Sequence, residues 1–281
     1  MQRSYQRSNV FTDCEKINRG DNQMKIVKFC IMLFTAALFS LSAAEDVLAC
    51  YTNAAWKVPS WSPFYAIDDF LGIRGYVMIT SKRSFEIDSD AEYEISGTFR
   101  SPASQIKVRN FECGFIMIDE EGKQIPCSAY SNYSGSMTTL AADVKPGDKI
   151  IKIKKAPNWT GKFIAFNARE DLSDLPNRET YYYTKKVEEG GNYILTLRRN
   201  VTKAYKAGTS VRCHGQNKLW TLNRFKTAPK EWKTFSGRIK GIDKTAASVN
   251  KWYPGAGRAC IFIIVPANAA LEFKDIAVRK L

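Results

Sequence analysis

The sequence predicts an all-β protein with two packed sheets, and three observations carry that prediction. No long segment after residue 44 places apolar residues at three-and-four spacing, whereas short alternating or continuous apolar runs recur throughout. Glu92–Arg100 alternates cleanly, with Tyr93, Ile95 and Phe99 on one face and Glu92, Glu94, Thr98 and Arg100 on the other, so one face of that strand is wet. Ala259–Val265 is apolar throughout, as a central strand covered on both faces requires.

Taken in chain order, the 281 residues begin with a polar, patternless stretch, 1–23, read as an upstream extension with Met24 as the true start. Residues 24–44 read as a signal peptide. Lys25 and Lys28 give a positive start, Phe29–Leu41 is uncharged and apolar but too short to span a bilayer, and Ser42-Ala43-Ala44 offers small residues for cleavage. The expected location is therefore exported, secreted or periplasmic. Val47-Leu48-Ala49-Cys50 resembles a lipoprotein cleavage box only imperfectly, because Glu45 and Asp46 interrupt the stretch between the apolar run and the cysteine and Leu48 is large for its place, so acylation of Cys50 is the lesser alternative.

Further strands are predicted at 74–80, 113–119, 149–154, 162–167, 192–198, 209–213 and 232–240. In Leu271–Val278 the apolar phase switches after Phe273, the mark of a one-residue bulge. Asp119-Glu120-Glu121-Gly122 reads as a hairpin turn that would bring Cys113 nearly opposite Cys127, making that pair the disulfide candidate against the equally open reading of two free buried thiols. Charge is uneven: residues 45–121 hold 7 Lys and Arg against 13 Asp and Glu, and residues 122–281 hold 29 against 12. Within the basic part Lys149, Lys152, Lys154, Lys155 and Lys162 form a candidate basic surface, with Lys152 and Lys154 on the solvent side of a strand whose other side carries Ile151 and Ile153.

Glu92–Gly97, Glu231–Gly237 and Leu271–Ile276 resemble the first, middle and last strands of jelly-roll carbohydrate-binding modules, those attached to many polysaccharide-degrading enzymes. Thr139–Ile153, Tyr193–Leu197 and Tyr205–Val211 resemble the small β module of phage tail and bacterial surface proteins, opened by a Gly-Asp turn and closed by an Ala-Gly-Thr turn. The two resemblances together imply a discontinuous jelly-roll sandwich from 74–139 and 216–281, an inserted β subdomain at 140–215 with its ends close together, and a lead-in segment at 45–73 packed on the sandwich. The first also implies glycan binding, leaves room for a structural calcium but for no other cofactor, and identifies Trp232 as a packing residue of the core.

Chemistry is sparsely marked. His214 is the only histidine, which rules out His-pair metal sites and leaves one candidate for a nucleophile–His–acid arrangement, with no partner marked. No Gly-X-Ser-X-Gly, phosphate loop, dinucleotide fingerprint or Cys-X-X-Cys occurs. Aromatic rings are more informative, because sugars stack C–H faces on them. The loop Trp252-Tyr253-Pro254-Gly255-Ala256-Gly257-Arg258, with Trp220 and Arg224 where the chain returns to the sandwich, is the candidate glycan site: Trp220, Arg224, Trp252, Tyr253 and Arg258. Trp159, at a loop of the inserted module, is a weaker third candidate. The leading expectation is an exported, non-catalytic carbohydrate-binding-like protein whose partner is a polysaccharide or glycan, acidic ones included, and not a nucleic acid. The alternative is a cell-envelope or surface assembly module that binds other proteins, and a polysaccharide lyase or hydrolase stands third.

Overall fold

The computed structural model describes residues 46–103, 110–216, 219–222, 226–243 and 250–281, so the predicted extension, signal peptide and Arg224 lie outside the described residues. Glu45–Leu281 packs as one compact unit. Its strands are β1 Asp46–Ala49, β2 Trp56–Lys57, β3 Phe64–Ile67, β4 Phe70–Arg74, β5 Val77–Ser81, β6 Phe85–Glu86, β7 Glu92–Arg100, β8 Glu112–Ile118, β9 Thr138–Thr139, β10 Ile150–Lys154, β11 Phe163–Phe166, β12 Thr180–Glu189, β13 Asn192–Leu197, β14 Ser210–His214, β15 Trp220–Thr221, β16 Lys233–Lys240, β17 Arg258–Val265 and β18 Ala270–Lys280. A single helical turn, α1, spans Cys127–Tyr130.

Two antiparallel sheets form a jelly-roll sandwich. The first runs β16-β7-β18-β4-β3 with β1 beside β18, and the second runs β15-β8-β17-β5-β2 with β6 beside β17. The chain crosses between them repeatedly, from β4 to β5, β7 to β8 and β17 to β18, which is how a jelly roll buries one face of each sheet. Ile73, Ile95, Phe99 and Phe273 of the first sheet meet Ile79, Phe115, Ile261 and Ile263 of the second in one core. The wet face read in Glu92–Arg100 is there: every second residue of β7 is buried and the others are half exposed. The unbroken apolar run of β17 is covered on both sides, with Ile261 and Ile263 in the main core and Cys260 and Phe262 in a smaller cluster with Ile116.

β18 carries the bulge its phase switch predicts. Its register against β7 slips between Lys274 and Ala277, and Asp275 takes a positive φ of 55° there. The strand expected at 74–80 is split, because Gly75, at φ 80°, turns the chain from β4 in one sheet to β5 in the other. Residues 46–73 do more than pack on the sandwich: they supply β1, β2, β3 and most of β4 to its two sheets.

A third antiparallel sheet, β10-β13-β12-β11-β14-β9, has its own core of Leu140, Ile151, Ile153, Trp159, Ile164, Leu195, Leu197 and Val211. It closes on itself, for Leu140 bridges Ile153 and the Ala141 amide donates to the Lys152 carbonyl at 2.9 Å. The chain passages into and out of it pair with each other: Asn132 bridges His214, and the Gly215 amide donates to the Ser131 carbonyl at 2.7 Å.

The predicted Cys113–Cys127 disulfide is absent. The hairpin forms, with Ile118 bridged to Gln124, but at Pro126 the chain leaves the strand for α1, so Cys127 never reaches the position opposite Cys113. Cys113 lies instead opposite Ile263. None of the five described cysteines forms a disulfide, and burial pushes the Cys113 thiol well above its ordinary range.

Candidate functional site

The first sheet turns its outward face to solvent, and strand register lines up a row of chemically different side chains across it. Tyr65 of β3 lies opposite Gly72 of β4, Gly72 opposite Glu272 of β18, and Glu272 opposite Arg100 of β7. Trp232 precedes β16 where Lys233 pairs with Phe99, which places it beside Arg100 at the end of that row. Two residues along each strand, a second row reads Lys274, Thr98 and Thr234. Period-two alternation sends both rows to the same face.

In the first row the Tyr65 ring lies over Gly72 and fills the space of a side chain there: a Cβ would meet the tyrosine ring at 2.0 Å unless the ring moved. Arg100 donates from Nε to Glu272 at 2.5 Å, with the glutamate side chain only 10% exposed. The Arg100 guanidinium also sits over two rings, 4.3 Å from the Trp232 centroid and 5.2 Å from that of Phe70. Trp232 and Phe70 meet edge to face at 5.5 Å, and Lys274 places its ammonium 5.0 Å from the indole while pairing with Asp69. The hydrogen bond from Lys274 holds the Asp69 carboxyl below its usual range. Burial, and next the Glu272 charge, push the Tyr65 phenol up, so it stays a neutral donor.

The second row opens into a groove of about 420 Å³, lined by Ser96, Thr98, Thr234, Tyr51 and Arg279 among others. Thr98 and Thr234 share a hydroxyl–hydroxyl hydrogen bond of 2.9 Å. The Tyr51 phenol donates to Asp46 at 2.6 Å, which raises its pKa to about 12. The face thus combines half-buried aromatic rings, a guanidinium fixed by a carboxylate, and a strip of hydroxyls. Such a surface can hold a flat-sided ligand rich in hydroxyl groups without covalent chemistry.

Of the site predicted from sequence, Arg224 lies outside the described residues and the three aromatics are buried. Trp252 is 0% exposed, packed edge-on to Phe85 and Tyr93, and Trp220 is 7% exposed and stacked on Phe115 at 5.2 Å. Tyr253 stacks on Tyr130 at 3.6 Å and accepts the Trp220 amide through its hydroxyl. All three rings belong to the main core of the sandwich, where large aromatics fill interior space, so these aromatics are core. Arg258 is exposed on β17. Trp159 is likewise buried, inside the third sheet's core.

Trp232 moves in the opposite direction: read as a core residue, it is half buried on the outer face. The signal was available, since counting back by twos from the inward Phe235 and Ile239 leaves Trp232 facing out. Of the predicted basic surface, Lys149, Lys154, Lys155 and Lys162 are exposed and Lys152 is half exposed, opposite the buried Ile151 and Ile153. Lys155 is paired with Glu188 at 2.5 Å, and Lys162 lies 5.9 Å from the Tyr183 ring centroid.

His214 is a fully buried strand residue beside the passage into the third sheet. Its Nδ1 donates to the Ser128 carbonyl at 2.7 Å, leaving Nε2 to accept from Arg212 Nε at 3.0 Å. Arg212 is buried too, paired with Asp174 at 2.7 Å and donating to the Arg169 carbonyl at 2.9 Å. Burial lowers the His214 pKa to about 4. Every polar atom of this triad is used within the fold, so it works as a structural clasp. Among the described residues no group of three or more His, Cys, Asp or Glu side chains could hold a metal ion, and no helix is long and apolar enough to cross a membrane.

No family model matches this chain, and no curated protein does. Among solved structures it is similar to the CBM22-1 xylan-binding domain of Xyn10C from Paenibacillus barcinonensis, at 9% identity over 86% of this chain and 97% of that one, with a TM-score of 0.35. It is similar to the CBM22-1-CBM22-2 tandem of the same protein, at 9% identity over 86% of this chain and 47% of that one, TM-score 0.38. It is also similar to an endo-1,3-β-glucanase from Streptomyces sioyaensis, at 9% identity over 85% and 97% of the two chains, TM-score 0.30. Likeness at this level carries no argument about ligand, and the jelly roll rests on the strand pairings given above.

Proposed function

We propose that this chain is an exported, non-catalytic carbohydrate-binding module that holds a glycan on the outward face of the first sheet, and that the third sheet is a subdomain inserted into the sandwich. The observation that supports the reading is the row Tyr65, Gly72, Glu272, Arg100 and Trp232. It couples two half-buried rings to a guanidinium held by a nearly buried carboxylate, beside a hydroxyl-lined groove. Sugar C–H faces pack on rings, while the fixed arginine and glutamate address ring hydroxyls with little ordering cost on binding.

Affinity electrophoresis through gels containing neutral or acidic polysaccharides tests this. At least one neutral polysaccharide is expected to retard the parent chain, with Trp232→Ala abolishing that retardation while the fold, read by circular dichroism, is kept. A folded parent that no polysaccharide retards overturns the proposal.

Burial of Trp159, Trp220 and Trp252 favours the rival reading, a surface assembly module whose large aromatics are interior. On that reading added glycans leave the indole fluorescence unchanged, whereas glycan binding at Trp232 changes it.

A further inference from the structure

We infer that a second cleft, where α1 meets the third sheet, binds a flat-sided ring carrying an oxyanion, that is, an acidic sugar residue bearing a carboxylate or a sulfate. The cleft measures about 490 Å³ and is lined by Pro126 and Ser128 at α1, Phe163 of β11, Thr180 and Tyr182 of β12, and three arginines: Arg178, Arg198 and Arg199.

Its floor is apolar. Phe163 and Tyr182 face each other in register across β11 and β12 with centroids 5.2 Å apart, edge to face, and both are only half buried. Its rim is cationic and largely fixed. Arg178 is held by Asp119 and donates to the Gln124 carbonyl at 3.2 Å. Arg199 donates to the Thr180 carbonyl at 3.2 Å and lies 4.9 Å from the Tyr181 ring centroid, with no carboxylate partner among the described residues. Arg198 uses its backbone amide on the Tyr182 carbonyl at 2.8 Å, and among the described residues its guanidinium has neither a hydrogen bond nor an ion pair.

One carboxylate, that of Asp119, therefore stands against three guanidinium groups around this cleft. Two positive charges remain uncompensated beside two exposed ring surfaces. Guanidinium forks match carboxylate and sulfate oxygens in pairs, and the ring floor supplies the apolar contact that a bare inorganic ion cannot use. The lysines of β10 carry ammonium groups and no guanidinium fork, and Lys155, just past the strand, is already paired with Glu188.

Calorimetry on the whole chain tests the inference with three probes: an oligogalacturonate, a neutral xylo-oligosaccharide and inorganic sulfate. The oligogalacturonate is expected to bind, to weaken as sodium chloride is raised, and to bind about tenfold or more weaker to Arg198→Ala/Arg199→Ala. Both arginines are exposed, so the melting temperature of that variant is expected to stay near that of the parent, and Trp232→Ala is expected to keep the oligogalacturonate signal. Equal binding by the parent and the double-arginine variant, or no binding by the parent, overturns the inference. Inorganic sulfate binding as tightly as the oligosaccharide overturns the ring requirement. The neutral probe reports on the outer sheet face alone, so failure there and failure here are separate results.

Discussion

Two tryptophans of the same sandwich show what decides between core and surface. Trp252 packs its ring against those of Phe85, Tyr93 and Phe115, and its indole Nε1 has no hydrogen-bond partner among the described residues. Trp232 sits among Phe70, Arg100 and Lys274, with cations close to its ring. The first ring is held by packing, and its neighbours would be left around a cavity without it. The second lies against charged groups that keep their own partners, Glu272 and Asp69, and that remain partly hydrated. Aromatic content therefore does not mark a binding surface by itself; the polarity of what touches the ring does.

The sharpest way to break this contrast is to truncate both rings. Trp252→Ala is expected to cost about 3–5 kcal/mol, the range for deleting a large buried aromatic. Trp232→Ala is expected to cost about 1 kcal/mol or less, the scale of partly exposed cation–π contacts, while removing glycan binding at the outer face. Urea denaturation of the two variants gives both numbers, and equal losses would show that Trp232 is as much a core residue as Trp252.

The sequence carried part of this difference. Alternation in Glu92–Arg100 assigned Thr98 and Arg100 to the wet face, and the phase switch after Phe273 located the bulge that lets β18 keep Lys274 outward and bury Ile276 and Val278. It could not show that Arg100 would meet Glu272, 172 residues away, or that Tyr65 would reach the same carboxylate, because strand register across a sheet is set by the assembled core. Nor could the composition of the Trp252 loop reveal its fate. Aromatics, Pro and Gly read the same whether a loop stands at the rim or folds over the end of the core. The strand β12 is hard to read from sequence for a related reason: its second half, Thr184–Glu189, is exposed and polar but for Val187, so only Tyr181 and Tyr183 mark its buried face.

A second measurement sharpens the contrast without touching either tryptophan, because the one histidine lies in neither cluster. The His214 pKa falls from 6.5 to about 4 on folding, so the unfolded chain takes up the proton first as pH drops. Its contribution to stability is full above pH 6.5 and is lost progressively as pH falls toward 4, a loss on the order of 3 kcal/mol. Thermal melts between pH 7 and pH 4.5 are expected to show that decline in the parent and a much flatter profile in His214→Asn. Glycan binding at the outer face, where no histidine stands, is expected to hold over the same window wherever the protein remains folded. Parallel profiles for parent and variant would mean that the clasp of His214, Arg212 and Asp174 does not control the acid response.

The smallest expected effect on stability is also the most specific to the site. Gly72→Ala places a methyl group where the Tyr65 ring now lies, at 2.0 Å from its tip. The ring is the far end of a side chain at the sheet edge, so it can swing aside, and the expected stability change is within about 1 kcal/mol. The row, however, loses its flat ring and the phenol that contacts Glu272, while Arg100 and Trp232 stay as they are. Glycan affinity is expected to fall about tenfold, the scale of one lost aromatic contact together with one hydrogen bond. Tyr65→Ala should reproduce that fall, and Gly72→Ala added to it should cost no more, because both act through the same ring. Additive losses would mean that Gly72 serves the ligand through the backbone itself, and that the carbohydrate surface reaches further across β4 than the Tyr65–Trp232 row.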